Sequence, residues 1–407
     1  MSWTQRRSLG SANPPRARGT GGPNVPNTSD TGCVVVGVGV TEQGQKLGIP
    51  ERELRRRALE GALEDAGLQR GDLDGYIACH GNTAFEDLRY LGLGPLFSWS
   101  LTAGGATAIS ALIAARGVLA TGQATHVALC YGFAPSAFRA GAGIGGFGYG
   151  YPELFGMVGP STTHALHAQR HMHLYGTSSE QLGAVAVTQR AYAAQRPGTL
   201  GYGKPIRLED HQASRMICEP LRLLDCCRDT DGGVCLIVTT PERARDLPGK
   251  PVRVLGTGTG HNIRNWYDKT VFAHHDDIAP AKERAFAEAG VDPEAIDVAA
   301  LYDPFTISVI MQLEEYGFCS LGEGGSFVAS GETGPKGQIP TNTGGGQLSG
   351  YYATGFTAGV EALVQLRGEG GPTQVAGAEV ALASGHGGNG GVQNTWSHAT
   401  AILGAGL

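Results

Sequence analysis

Two stretches of this chain, 223 positions apart, read as the same structural unit. Residues 57–79 run from Arg57 through a small-residue helix to Gly67, then an acidic turn with Asp74, then the apolar segment ending at Cys79. Residues 281–302 run from Ala281 through a similar helix to Gly290, then Asp297, then Val298 to Tyr302. Gly67 falls on Gly290 and Asp74 on Asp297 at one constant offset. Further on, Val127-Ala-Leu pairs with Val380-Ala-Leu, and each follows a small-residue helix, near 106–115 and 353–363. A period this long is not that of a solenoid, whose repeats run about 20–50 residues. It predicts two duplicated α/β halves with a site between them.

The bulk composition narrows the class. A chain of 407 residues can bury two substantial cores, and 17% charged residues with 65 glycines describe a turn-rich α/β enzyme. The net charge of −6 argues against broad attraction to nucleic acid or to an anionic membrane, though not against a local basic patch for a phosphorylated ligand. The eight cysteines have no CxxC spacing, so they read as small buried hydrophobes in a reducing compartment. Arg6 and Arg7 have no apolar run behind them, and no stretch approaches the roughly 18 apolar residues of a membrane span. A soluble cytoplasmic protein is the expectation.

Residues 1–31 are rich in Pro, Gly, Asn, Ser and Arg and read as a disordered leader. The first half is expected over 32–250, beginning with a buried strand at Cys33–Val40 and a helix whose face carries Leu54, Ala58, Leu59, Ala62 and Leu63. An insertion spans about 131–200: a glycine-rich loop over 131–160, then helices near 163–175 and 179–195. The second half, 251–407, alternates strands near 298–301, 379–383 and 398–403 with helices near 279–289, 306–316 and 353–366. This alternation implies mainly parallel pairing with helices on both faces.

Two glycine-rich segments, Asn342–Gly350 (NTGGGQLSG) and Gly385–Gly391 (GHGGNGG), together with the two βαβ-rich halves, resemble the thiolase superfamily over residues 33–407. The nearest likeness is to the sterol-carrier-type and lipid-transfer branch. The resemblance implies a thiolase fold, an α/β architecture of five layers in the order αβαβα. It also exposes departures. Thiolases place a cysteine thiolate at a helix N-terminus, where the helix dipole lowers its pKa. Here Ser100–Thr107 (SLTAGGAT) puts Thr102 or Ala103 in that slot. The family's (His/Asn)-(Asp/Glu)-x-Phe motif is Tyr302-Asp303-Pro304-Phe305, its Gly-His-Pro is Gly350-Tyr351-Tyr352, and its terminal cysteine loop carries Ser384 and His386 without cysteine.

Loss of the cysteines with gain of paired tyrosines resembles the steroid side-chain-cleaving aldolases. That resemblance implies retro-aldol cleavage of a β-hydroxyacyl-CoA, such as a 17-hydroxy steroid side-chain thioester, to a 17-ketosteroid and propionyl-CoA. It implies coenzyme A only as part of the substrate, no cofactor bound to the chain, and a small partner protein with an OB fold and a zinc ribbon. By analogy it also implies a homodimer. The candidate acid–base residues are Tyr302 and Tyr352, with Tyr351 as the spare; a tyrosine with an ordinary pKa of about 10 serves either role when its surroundings allow. Backbone N–H groups around Gly387, Gly388 and Gly390, with His386, are the candidate oxyanion site. Two competing readings are an acyltransferase of the same fold working without cysteine and a non-catalytic acyl-CoA carrier.

Other motifs are read as structural. His164, His167 and His171 share one helix face, with His173 nearby, but no cysteine or carboxylate in sequence completes a metal set. His274-His275-Asp276-Asp277 reads as a solvated loop, Gly256–Gly260 as a tight turn, and Asp225–Asp231 as a charged turn that otherwise would line the site or a dimer contact. No metal is expected.

Overall fold

The computed structural model describes residues 32–135, 154, 156, 159–262, 275–389 and 395–407. The expectations for 1–31 and for most of the glycine-rich loop, as well as Gly390, lie outside the described residues. The strands are β1 (Val34–Val40), β2 (Gly75–Cys79), β3 (Phe97–Leu101), β4 (His126–Phe133), β5 (Met216–Cys218), β6 (Leu221–Arg222), β7 (Gly232–Thr239), β8 (Val252–Asn262), β9 (Val298–Ala300), β10 (Val380–Asn389) and β11 (Thr395–Ala405). The helices are α1 (Glu51–Ala66), α2 (Ala84–Leu91), α3 (Thr107–Ala120), α4 (Pro160–Tyr175), α5 (Ser179–Ala193), α6 (Leu208–Ala213), α7 (Pro241–Ala244), α8 (Ile278–Ala289), α9 (Thr306–Tyr316), α10 (Gly324–Ala329) and α11 (Phe356–Leu366).

The duplication is visible strand by strand. The first half orders β3-β2-β4-β7-β1 and the second β9-β10-β11-β8. In the first half β2 pairs in parallel with both β3 and β4, and in the second β9 pairs in parallel with β10; the other neighbours are antiparallel, so the sheet is mixed rather than mainly parallel as the strand–helix alternation implies. The second half keeps only a trace of β3, a single parallel bridge between Ala299 and Thr341. A two-residue pairing of β1 with β8 joins the halves into one nine-stranded sheet.

Three buried clusters define the layers. One lies on the outer face of the first half, under α1. One lies on the outer face of the second half, under α8 and α9, with α4 and α5 adding to it. The largest lies between the two half-sheets and encloses α3 and α11. The result is helix, sheet, helix pair, sheet, helix: the expected αβαβα sequence. The apolar face expected for α1 (Leu54, Ala58, Leu59, Ala62, Leu63) is its buried face.

The residues that carry the repeat do so for backbone reasons. Gly67 and Gly290 end α1 and α8 in the left-handed conformation, at φ 67° and 68°, where a Cβ is costly. Asp74 accepts from the backbone N–H groups of Thr125 and His126, at 2.8–2.9 Å. Asp297 accepts in the same way from Glu379 and Val380. This pins the register: Gly75 faces Val127 and Val298 faces Ala381, so Val127 is the counterpart of Ala381, one residue beyond the Val380 expected from sequence. Gly256–Gly260 is not a turn. It lies within β8, where a Cβ on Gly256 or Gly258 would fall 2.1 Å from the carbonyl of Ala285 or Ala281 in α8. Gly37 and Gly39 of β1 meet Ala62 and Ala58 of α1 in the same way, so each helix lies flush on its strand.

The carboxylate clamps give a first prediction. Asp74→Ala or Asp297→Ala strands two backbone donors and is expected to cost about 1–3 kcal/mol each in urea unfolding. Asp74 is held below the usual carboxylate range: burial raises its pKa, but the hydrogen bonds from His126 and Thr125 outweigh that effect. Its contribution is therefore present above the ordinary carboxylate pKa and lost as the pH falls through its lowered value. The Asp74→Ala stability deficit should shrink in acid.

Candidate active site

The N-termini of α3 and α11 meet in the middle layer. Each is preceded by the same local structure. Ala103 N–H donates to Thr107 Oγ1 (2.9 Å), and Ala353 N–H donates to Thr357 Oγ1 (3.0 Å). The next residue is left-handed in both, Gly104 at φ 56° and Thr354 at φ 50°. A non-glycine residue there stores backbone strain, which clusters at functional sites. The two turns are in backbone contact: a Cβ on Gly355 would lie 2.2 Å from the Gly105 carbonyl. Two helix N-termini thus aim at one region, a favourable place for developing negative charge.

Tyr302 points into this region. A Cβ on Gly105 would fall 2.2 Å from Tyr302 Cζ and 2.4 Å from its hydroxyl oxygen. The tyrosine's backbone is fixed at both ends: its N–H donates to Ser384 Oγ of β10 (2.9 Å), and its carbonyl accepts from Gln312 Nε2 of α9 (2.6 Å). Ser384 in turn donates to Gln312 Oε1 (2.6 Å). The counterpart of Tyr302 in the first half is Cys79, a buried thiol whose pKa burial raises.

Tyr352 completes the pair. Its phenol lies close enough to that of Tyr302 to shift the latter's pKa. Burial, then the nearby Tyr352 and Cys227, hold the Tyr302 phenol well above the ordinary tyrosine range. The backbone of Tyr352 is held by Thr230, whose Oγ1 accepts from Tyr352 N–H (2.9 Å) and lies 3.0 Å from its carbonyl. Tyr351 faces elsewhere: burial and then the Glu361 carboxylate raise its pKa, and Arg196 opposes them. Of the two tyrosines the sequence offered, the structure joins Tyr352 to Tyr302.

Asp303 locks the tyrosine loops together. Its carboxylate accepts from Gln347 and Leu348 N–H (2.9 and 3.2 Å) at the start of the turn Gly346–Gly350, which leads directly into Tyr351 and Tyr352. Gly346, at φ 57°, has no room for a Cβ beside that carboxylate. Burial pushes Asp303 up to about 8, against the backbone donors that pull it down. A raised carboxyl pKa favours the fold most below the ordinary value, and that contribution is lost as pH rises toward about 8. Asp303→Asn turns an amide nitrogen toward N–H donors. It is expected to cost about 1–3 kcal/mol and to abolish this pH dependence, as urea titrations across that range would read.

The glycine-rich segment near the C-terminus is not a loop up to Asn389; β10 runs through it. Gly385 and Gly387 face α3, and a Cβ on Gly387 would lie 2.4 Å from Gly105 N and Ala103 O. Gly388 pairs with Trp396 in the ladder. The His386 carbonyl approaches Gly105, but its imidazole enters the other face of β10, away from the tyrosine pair, where it lies 3.3 Å from Asp277 and 3.1 Å from His398. Thr102 is exposed and accepts from Gly81 N–H (2.8 Å), so it is occupied in a turn rather than set up as a nucleophile.

Three expectations change here. Asp225–Asp231 is not a solvated charged turn. Asp225, Thr230 and Asp231 are buried, and Cys227 N–H donates to the Pro304 carbonyl beside Tyr302 (2.8 Å). The segment lines the site because buried Asp225 is hydrogen-bonded by His211 (2.8 Å) and Thr306 (2.7 Å). His275 and Asp277 are likewise buried rather than in a solvated loop; His274 lies outside the described residues. Of the α4 histidines, His164 stacks on Phe305 and is pushed down to about 4 by burial, while His171 pairs with Glu314 (3.1 Å).

Sequence reasoning missed His80 and Tyr131. His80 sits at φ 59° after β2, its pKa lowered by burial, with its ring centroid 5.8 Å from Tyr131. Tyr131 stacks on Phe356 at the start of α11 (5.6 Å), and burial followed by the nearby Tyr352 raises its phenol. The only sequence signal was a polar residue closing a buried strand. Among the described residues no helix is long and apolar enough to cross a membrane.

Comparison with known proteins agrees with this geometry. Residues 258–405 match the thiolase C-terminal domain-like family. The steroid side-chain-cleaving aldolase of Thermomonospora curvata is 37% identical over 355 residues, 83% of this chain and 90% of that protein. The 17-hydroxy-3-oxo-4-pregnene-20-carboxyl-CoA lyase of Mycobacterium tuberculosis is 36% identical over 353 residues, 83% and 92% of the two chains. The solved structure of an Ltp2-ChsH2(DUF35) aldolase superposes with a TM-score of 0.84 at 34% identity, covering 92% of this chain and 98% of that one. With the αβαβα layers, the paired tyrosines and the missing thiolate, these likenesses identify the chain as a member of the thiolase superfamily, in its branch of steroid side-chain-cleaving aldolases.

Proposed function

We propose that this enzyme, a carbon–carbon lyase, cleaves a 17-hydroxy steroid side-chain CoA thioester to a 17-ketosteroid and propionyl-CoA, with Tyr302 and Tyr352 carrying the proton. The observation that supports it most is the pair of neighbouring tyrosines at the α3 N-terminus, where a thiolase would hold its thiolate. In the reaction the Cα–Cβ bond breaks. Its electron pair passes to Cα as a thioester enolate, the β-hydroxyl loses its proton to become the ketone, and the enolate regains a proton at Cα. One proton leaves the substrate and one returns.

Two neighbouring neutral phenols can do this without net charge. One takes the hydroxyl proton while passing its own to the other, and the other delivers its proton to Cα. This suits Tyr302, whose buried phenol resists standing as a phenolate. The backbone N–H groups at the starts of α3 and α11 face the enolate oxygen, as in an oxyanion hole. No step uses a covalent nucleophile or an added cofactor; coenzyme A enters as part of the substrate.

The same reading includes a small OB-fold, zinc-ribbon partner that helps hold the CoA, which the two-component name of the related aldolase structure supports. It also includes a cytoplasmic homodimer in steroid catabolism, cholesterol's included. The exposed edge strand β3, with Trp99 and the neighbouring Phe85 and Leu96 in water, supports self-association. The test is mass spectrometry of the chain with such a partner and a 17-hydroxy steroid carboxyl-CoA. Ketosteroid and propionyl-CoA in equal amounts, without free CoA, are expected. Acyl exchange only after free CoA is added would make the chain an acyltransferase, and tight binding without turnover a carrier.

A further inference from the structure

On the face of β10 opposite the tyrosines, the fold gathers residues from four distant segments. His275 and Asp277 precede and begin α8, His386 comes from β10, His167 from α4 and His398 from β11. All five are buried. Asp277 Oδ2 lies 3.3 Å from His386 Nδ1, and Asp277 Oδ1 lies 4.0 Å from His275 Nδ1. One ligand atom from each of His275, Asp277 and His386 falls within 4.8 Å of the others. The His167 ring lies 4.7 Å from that of His275, and the His275 ring 4.4 Å from that of His386, centroid to centroid.

The geometry points to a buried divalent metal site of the zinc class, held by His275, Asp277 and His386. A tetrahedral ion with ligands about 2.0–2.1 Å away separates its donors by roughly 3.3–3.5 Å. The observed separations of 3.3 and 4.0 Å bracket that value, so small side-chain shifts close the site. Two imidazoles and one carboxylate suit zinc or a neighbouring transition ion, not magnesium or calcium, which take oxygen ligands.

A further observation favours a cation. Asp277 stands at the N-cap of α8, where aspartate usually bonds the helix N–H groups, yet its side chain makes no capping bond. The carboxylate is turned toward the imidazoles instead. His398, anchored through Nε2 by the Tyr316 hydroxyl (2.7 Å), packs against the His386 ring. The site ties the start of α8 to β10 behind the strand segment that backs the α3 N-terminus.

The test is metal content of the full-length, untagged chain, purified without chelator, loaded with zinc and desalted. About one zinc per chain is expected. Asp277→Asn and, separately, His275→Gln should lower retention at least about tenfold, while His173→Gln, an exposed histidine on α4, should leave it unchanged. Cobalt-loaded wild-type protein should show visible d–d bands without the near-ultraviolet thiolate band that cysteine ligation gives, and a chelator should lower its Tm. Sub-stoichiometric zinc in the wild type, or zinc retained equally by both site variants, would overturn the assignment. These readouts do not involve turnover, so the metal site stands or falls apart from the aldolase reading.

Discussion

Tyr302→Phe is expected to lower kcat for cleavage of the β-hydroxyacyl-CoA by about 10²–10⁴-fold, with KM and Tm near their wild-type values. The ring fills the same space beside Gly105, and the backbone bonds to Ser384 and Gln312 do not involve the hydroxyl. Only the proton path is removed. Tyr352→Phe removes the other half of the proton path and should act alike, and the double variant should be little worse than either single one, because the two hydroxyls act as one unit. Tyr351→Phe should leave turnover near wild type, since that phenol answers to Glu361 instead. Steady-state kinetics of the four variants, with circular dichroism to establish folding, provides the check. A large loss in Tyr351→Phe with none in Tyr352→Phe would reverse the assignment.

Gly105→Ala should damage the fold and the active site together. The added Cβ would sit 2.2 Å from both the Tyr302 ring and the His386 carbonyl, well inside contact distance. Neither neighbour is the loose end of a flexible chain: one is a ring whose backbone is fixed twice, the other is backbone of β10. Overpacking of this kind costs about 1–3 kcal/mol. The displaced tyrosine should also cost about 10²-fold in kcat, since catalytic groups lose that much when misplaced by about 1 Å. Gly359→Ala is the control. A Cβ there, inside α11, meets nothing within 4 Å, and it should stabilise by roughly 0.5–1 kcal/mol with kcat unchanged.

What the sequence made legible follows from where the backbone itself constrains residue choice. The duplicated halves could be read because Gly67 and Gly290 must be left-handed and Asp74 and Asp297 must clamp the next strand, so those residue types recur at one offset. The slip of one residue at Val380 arose because valine and alanine serve equally in a buried strand, and only the ladder fixes the register. Gly256, Gly258 and Gly260 were taken for a turn. Their spacing of two marks one face of a strand under a helix, a signal of period rather than of composition.

The tyrosine pair could be proposed only through the family resemblance, since nothing local distinguishes Tyr302 from an ordinary core residue. The choice of Tyr352 over Tyr351 required the contact with Tyr302 itself. Asp225–Asp231 and His275–Asp277 were misread for a common reason. Runs of charged residues ordinarily stay in water. Here their compensating partners come from far along the chain: Thr306 for Asp225 and His386 for Asp277.

The central claim, that the tyrosine pair returns to Cα a proton drawn from a solvent-exchanged pool while no thiolate takes part, is tested most directly by running the cleavage in deuterium oxide without free CoA and measuring the mass of the short acyl-CoA released. The account predicts propionyl-CoA carrying one deuterium at Cα, formed at the same rate with or without added free CoA. Propionyl-CoA without that deuterium, or release that depends on added CoA, would contradict it.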